Sequence, residues 1–212
     1  MQAIGIFGGT FDPIHHGHLR LAEEMADAFD LREVRFIPTG QPPHRAAPLT
    51  SAQHRLEMVR RAIESNPLFV LDDREIRATH VSFTLDTLRE VRREIGEQQP
   101  LCLLVGADAF LGLPGWYEWQ RLFELAHIVV ALRPGSNMQQ GLPEALQREV
   151  DRRLAKDKTL LGAAGSVSLL DMTPLAISSS SVRHALAQQH SVRYLVPDTV
   201  LDYLQQQQLY KP

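Results

Sequence analysis

Cysteine, charge of one sign and long apolar runs are all scarce in this chain of 212 residues. Its one cysteine, Cys102, excludes an intramolecular disulfide, and its neighbours Leu101, Leu103, Leu104 and Val105 mark it as a buried strand residue suited to a reducing cytoplasm. The 22 basic and 25 acidic side chains leave a net charge of −3. That balance excludes the broad electrostatic footprint of a protein that binds DNA, RNA or a membrane surface, so any recognition of phosphate has to be local. No apolar run approaches the length needed to span a bilayer. The first residues have neither a basic segment nor a long apolar core, so a secretory signal is not expected. Neither Gly-x-Gly-x-x-Gly nor Gly-x-x-x-x-Gly-Lys-(Ser/Thr) occurs, which removes the dinucleotide fingerprint and the P-loop. The expectation is a cytoplasmic protein with no nucleic-acid or membrane partner.

What is present is a regular alternation. Strand-like apolar runs span Ala3 to Phe7, Val34 to Pro38, Phe69 to Leu71, Leu101 to Val105, Ile128 to Leu132 and Ser168 to Met172. Helical patterns start near Gly17, Ser51 and Thr84, run from Leu142 to Ala155, and open at Ser178 to Ser181 to continue through Leu186. Thr50, with Gln53 three residues on, has the form of a capping box for the second helix. The alternation predicts an α/β fold, a doubly wound, mostly parallel sheet with helices on both faces. The length suits a single domain over residues 1–212, with residues from about 184 forming a small helical C-terminal extension. In such a sheet ligands bind beyond the carboxyl ends of the strands, which directs attention to the loops 8–18, 39–50, 106–117 and 177–183.

The first of these loops reads Gly-Gly-Thr-Phe-Asp-Pro-Ile-His-His-Gly-His from Gly8 to His18. A glycine turn leaves an apolar strand, and a helix begins where the histidines stand. The first N–H groups of a helix have no internal partner and carry partial positive charge, so imidazoles at His15 and His18 add donors to a ready anion site. Gly17 between them lets a ligand approach the backbone closely. Any one of these histidines alone reads as a loop or capping residue, and the whole string carries the argument. Asp12 before Pro13 reads as a turn cap in preference to a water-mediated magnesium ligand, and no carboxylate cluster for a resident metal is visible.

Three further stretches bear chemistry. In Thr39-Gly40-Gln41-Pro42-Pro43-His44-Arg45 two prolines restrict the backbone and present Arg45 at little ordering cost. Ile177-Ser178-Ser179-Ser180-Ser181-Val182-Arg183 supplies hydroxyl and backbone donors at a helix start, with Arg183 one turn in, where its fork of donors can clamp phosphate oxygens. Read alone it is a serine-rich cap with a surface arginine; beside the histidine string it becomes the second half of a clamp. After the Cys102 strand, Gly106 permits close approach of a ribose, Asp108 offers an acceptor for its hydroxyls, and Trp116 presents a flat face after the Pro114-Gly115 turn. Trp119, one turn further, reads as a core anchor.

The His15-to-His18 string resembles the (His/Thr)-x-Gly-His signature of the nucleotidyltransferase superfamily, and residues 177–183 resemble its Ile-Ser-Ser-(Ser/Thr)-x-x-Arg motif. Ser82-Phe83-Thr84-Leu85-Asp86-Thr87-Leu88, Gly106-Ala107-Asp108 and Trp116-Tyr117-Glu118-Trp119, in this order between the two, narrow the resemblance to bacterial nicotinate-nucleotide adenylyltransferases, over about residues 4 to 183. It implies a Rossmann-like nucleotidyltransferase fold. It implies His15, His18 and Arg183 as catalytic contacts to the phosphates, with His16 at the variable position. The ATP site it implies takes in Gly8, Gly9, Thr10, Phe11, His15, His18, Gly106, Asp108, Ile177, Ser178, Ser179, Ser180 and Arg183. His44, Arg45, Thr84, Trp116 and Tyr117 would hold the mononucleotide, with Thr84 and the Tyr117 backbone on the nicotinate carboxylate and Trp116 on the pyridine ring.

The implied reaction is ATP plus nicotinate mononucleotide giving nicotinate adenine dinucleotide and pyrophosphate, a step of NAD biosynthesis. Two phosphate groups repel at close range, so magnesium carried by ATP is expected. Transfer to nicotinamide mononucleotide or to another phosphorylated acceptor such as phosphopantetheine, or a nucleotide-binding module without turnover, are the alternatives. Homo-oligomerisation is left open by the sequence.

Overall fold

The computed structural model describes residues 1–40, 48–132, 141–155, 160, 162–173 and 175–211. Six strands, β1 (Ile4–Gly9), β2 (Glu33–Pro38), β3 (Phe69–Leu71), β4 (Leu101–Gly106), β5 (His127–Leu132) and β6 (Val167–Asp171), form one sheet in the order β3-β2-β1-β4-β5-β6. Every pairing is parallel. Helices α1 (His16–Phe29), α2 (Ala52–Ile63), α3 (Arg74–Arg77), α4 (Thr84–Ile95), α5 (Ala107–Leu111), α6 (Leu122–Leu125), α7 (Glu144–Arg153), α8 (Ser179–Ala187) and α9 (Asp198–Gln206) fill the connections. The central strands are apolar at nearly every position because both faces are covered. One face buries Met25, Phe29, Met58, Val182 and Leu204 from α1, α2, α8 and α9. The other buries Leu85, Leu88, Leu122, Leu146 and Val150 from α4, α6 and α7. This is the doubly wound α/β architecture expected from the alternation.

The strand order reverses between β1 and β4, which is where an open α/β sheet forms its binding crevice. The register shows how the crevice opens. β1 stays paired with β2 as far as Gly9 opposite Pro38, but its pairing with β4 covers only Ile4 to Ile6 opposite Leu101 to Leu103. Beyond that point the two strands part, leaving Phe7 to Gly9 and Leu104 to Gly106 as the walls of a cleft. Cys102 sits deeper in β4, and burial pushes its thiol up to about 12, so it is an inert core residue.

One local feature departs from the sequence reading, and a second carries no sequence signal. The N-cap of α2 is Ser51, whose hydroxyl accepts from the His54 N–H, and not Thr50. Thr50 instead donates its hydroxyl to Asp12 Oδ1 at 2.6 Å. A long-range carboxylate acceptor outcompetes the local capping geometry, since a hydrogen bond to a charged oxygen is stronger than one to a neutral amide. The second feature is Arg55, which lies on α2 and is only 1% exposed. Its guanidinium donates to the Thr10 carbonyl at 2.9 Å and to the Gly40 carbonyl at 3.1 Å, tying together the chain ends that leave β1 and β2. Gly40 is obligatory there, because a Cβ would lie 2.1 Å from the Glu75 carbonyl oxygen.

Replacing Arg55 by Met keeps the apolar stem and removes both donors. Arg55→Met should therefore lower unfolding free energy by about 1–3 kcal/mol in urea titrations, from two half-buried carbonyls left unpaired. A midpoint equal to the parent's would show the tether to be dispensable.

Candidate active site

Two helix starts meet at one corner of the crevice. His15 is the extended N-cap of α1, and Ser178 is the extended N-cap of α8. Ser179 donates its hydroxyl to the Pro13 carbonyl at 2.9 Å, and Arg183 donates Nη1–H to the Asp12 carbonyl at 2.7 Å, so α8 is fastened directly to the loop that leads into α1. Both helices therefore aim unsatisfied N–H groups at the same region, an arrangement that favours an anion. Arg183 also reaches Ser180 Oγ at 3.3 Å, and these two bonds leave other guanidinium donors for a ligand. The hydroxyl of Ser178 is occupied as the cap, accepting from the Ser181 N–H at 3.0 Å. Ser180 is exposed, and partly buried Ile177 packs against the core.

The histidines are held by packing. The His15 and His18 rings stack at a centroid distance of 3.7 Å, and Phe11 meets His18 edge-on at 5.1 Å. Phe11 itself is buried against Phe7 and Phe36, so its side chain forms the wall behind His18 while its backbone follows the glycine turn. Gly9 permits this, because a Cβ would lie 2.9 Å from the Phe11 ring. Gly17 has a similar reason to be glycine: a Cβ would lie 3.0 Å from His15 Nδ1 and 3.5 Å from the Ile177 carbonyl. The His15 N–H donates to His18 Nδ1 at 3.3 Å, which places the His18 proton on Nε2 as an available donor. His16 lies in the first turn of α1, its backbone N–H bonded to the Leu195 carbonyl at 3.0 Å.

Asp12 fastens this corner to the rest of the chain. Its carboxylate accepts from the Leu49 N–H at 2.9 Å and from the hydroxyls of Thr50 and Tyr210. Burial and the Asp12 contact push the Tyr210 phenol above its ordinary value, so it remains a donor at neutral pH. Both Asp12 oxygens are committed to protein donors, and the described residues hold no group of three or more His, Cys, Asp or Glu able to bind a metal ion.

Along the crevice from this corner, a cleft runs between the ends of β1 and β4 and the start of α4. Gly8, Gly9, Thr10, Gly106, Thr84, Trp116 and Tyr117 line it. A Cβ on Gly106 would meet nothing within 4 Å, so the space beside it is open. Asp108 is exposed in the first turn of α5, just beyond Gly106. Trp116 is partly buried against the core but keeps a face on the cleft, whereas Trp119 packs edge-on against Phe123. Tyr117 stacks near Phe83 at 4.7 Å. Glu75, Ser82, Phe83 and Thr87 also line the cleft. Phe83 and Thr87 belonged to a motif already singled out, but Glu75 carried no sequence signal because the short α3 that presents it has no periodic pattern to read. His44 and Arg45 lie outside the described residues.

Residues 6–185 match the model of a family described as "Cytidylyltransferase-like". This chain belongs to the cytidylyltransferase-like family. A family member from Dechloromonas aromatica, named "Probable nicotinate-nucleotide adenylyltransferase", is 50% identical over 99% of this chain and 98% of its own length. One of the same name from Halorhodospira halophila is 49% identical over 94% of this chain and 91% of its own. Among solved structures, the nicotinic acid mononucleotide adenylyltransferase of Plasmodium falciparum complexed with NaAD shares the fold with a TM-score of 0.74, covering 99% of this chain and 98% of that one at 18% identity.

The electrostatics of this cytidylyltransferase-like site rest on neutral imidazoles. Burial, helped by His16, lowers His15 from 6.5 to about 4. Burial and then His15 hold His18 well below its ordinary value. At pH 7 the resting corner thus offers one guanidinium, neutral ring donors and backbone N–H groups. The folded chain resists protonating these rings while the unfolded chain takes the protons near pH 6.5, so stability present at neutral pH is lost as pH falls from about 6.5 towards 4. The urea midpoint should fall across that window, and fall less in His15→Gln. An equal fall in the variant would refute the assignment of that loss to His15.

Proposed function

We propose that this protein transfers the adenylyl group of ATP to nicotinate mononucleotide, forming nicotinate adenine dinucleotide and pyrophosphate. The observation that carries the reading is that one loop serves two sites: Gly8, Gly9 and Thr10 line an aromatic-walled cleft with hydroxyl donors, and the same loop runs on to His15, where two helix starts are fastened together. An acceptor joining a phosphate to an acidic aromatic ring fits both. Relatives at 49% and 50% identity carry the name of this activity.

The nucleophile is the acceptor's own phosphate oxygen, already ionised near neutral pH, so no general base is required. It attacks the α-phosphorus of ATP in line while the bond to the β-phosphate oxygen breaks, and pyrophosphate leaves with that electron pair. Charge developing on the α-phosphate and the leaving group is met by His15, His18, Arg183 and the N–H groups at the starts of α1 and α8. Ser178, Ser179 and Ser180 shape the α8 side, and Gly8, Gly9, Thr10 and the backbone of Phe11 shape the glycine turn. Gly106 and Asp108 are assigned to a ribose. His44 and Arg45 are assigned to the acceptor phosphate, Thr84 and the Tyr117 backbone to the nicotinate carboxylate, and Trp116 to the ring. Magnesium enters as part of the substrate, on the phosphates of ATP. A reducing cytoplasm suits the buried thiol of Cys102.

Supplying magnesium ATP with nicotinate mononucleotide, nicotinamide mononucleotide or phosphopantetheine in turn, and quantifying adenylylated product and pyrophosphate, tests the reading. Product with nicotinate mononucleotide at the highest kcat/KM supports it; a preference for another acceptor, or no turnover, contradicts it. His18→Ala should reduce kcat by about 100-fold or more, as loss of a transition-state donor does, with the fold retained. Near-normal turnover would remove the role assigned to His18. Trp116→Ala should raise KM for the mononucleotide roughly tenfold by removing its stacking face. An unchanged KM would make Trp116 a core residue only.

A further inference from the structure

Glu75 is the one acidic side chain among the described residues lining the acceptor cleft, and the reaction above does not use it. α3 presents it towards α4, where the Thr87 hydroxyl donates to Glu75 Oε1 at 2.7 Å. Thr87 lies one helical turn from Thr84 and lines the same cleft. Ser82 lines it too, and its hydroxyl is buried without a hydrogen-bond partner among the described residues. A carboxyl and the hydroxyls of Ser82, Thr84 and Thr87 thus line a cleft whose walls are otherwise largely apolar and aromatic.

Among the described residues, Glu75 has no cation of its own. Arg74, on the same helix, is bound to Asp72 at 2.7 Å and to Glu94 at 3.0 Å, with Glu90 at 3.6 Å. Arg55, from α2, is held by two carbonyls. Asp72 and Glu90 add negative charge from the end of β3 and from α4. Burial is the main cause that lifts the Glu75 carboxyl to about 7; Asp72 and Glu90 add to it, and the Thr87 bond and Arg74 oppose it.

We propose that Glu75 is a specificity-determining residue of the acceptor cleft, whose carboxyl in its acid form donates its O–H to the acidic substituent of the acceptor ring and in its ionised form repels it. A carboxamide carries both donor and acceptor and no charge, so it can bond to either form. Discrimination between acid and amide acceptors is thereby tied to the protonation of one residue, in addition to the neutral donors of Thr84 and Tyr117. The inference rests on the acceptor assigned above.

The test is steady-state kinetics with nicotinate and nicotinamide mononucleotides from pH 6 to 8.5, read as the ratio of their kcat/KM values. Both acceptors carry a phosphate that titrates near pH 6, so its contribution cancels in the ratio. In the parent enzyme the ratio should fall about tenfold or more as pH rises, through KM for the acid acceptor, because a charge-assisted bond is replaced by repulsion. Glu75→Gln should make the ratio flat with pH. Thr87→Val, which removes the bond favouring the ionised form, should move the inflection to higher pH. A ratio constant with pH in the parent, a fall that persists in Glu75→Gln, or an unmoved inflection in Thr87→Val overturns the proposal. No turnover of nicotinate mononucleotide by the parent at any pH would instead refute the acceptor assignment.

Discussion

The hydrogen bond from the Arg183 guanidinium to the Asp12 carbonyl is the constraint on which the rest of the site depends. It joins the first helix after the last strand to the first strand-to-helix loop, across 171 positions of sequence. With Ser179 on the Pro13 carbonyl, it brings two helix starts together, so that partial positive charge from two backbones falls on one place. The carboxylate of Asp12 extends the same anchorage to Leu49, Thr50 and Tyr210. One aspartate therefore couples β1, α2, α8 and the residues after α9, and its side chain is spent on shape while its carbonyl steadies the clamp.

Around that anchor the chemistry is divided by environment. The anion corner uses neutral imidazoles, a guanidinium and backbone donors, a set that can follow the charge of a polyphosphate without accumulating repulsion in the empty site. The cleft next to it is apolar and aromatic, with hydroxyls and one buried carboxyl. The early end of the β1–β4 pairing makes room for both. In the proposed reaction the two substrates' phosphates meet at the switch point of the sheet, where positioning would supply much of the catalysis.

Much of this was legible in the sequence, and the boundary has a physical meaning. The central strands can be read because parallel strands covered on both faces are apolar throughout; the edge strand β3, Phe69–Leu71, is legible from its short apolar run although Val70 is exposed. The histidine and serine strings could be read because helix starts have local chemistry. What could not be read depends on partners distant in sequence. Thr50 has the local form of a cap, yet Asp12 takes its hydroxyl; Arg55 looks like a surface residue of α2, yet two carbonyls hold it inside. Glu75 is one acid among many until the Thr87 bond and the cleft wall single it out.

The central claim is that two helix starts converge on a single anion site. Its most direct test is a titration with inorganic pyrophosphate followed by amide and imidazole nitrogen NMR. The account predicts that the largest shifts fall together on the amides of Gly17, Ser179 and Ser180 and on His18 Nε2, with one dissociation constant. Shifts confined to one of the two helices, or centred elsewhere on the surface, would contradict it.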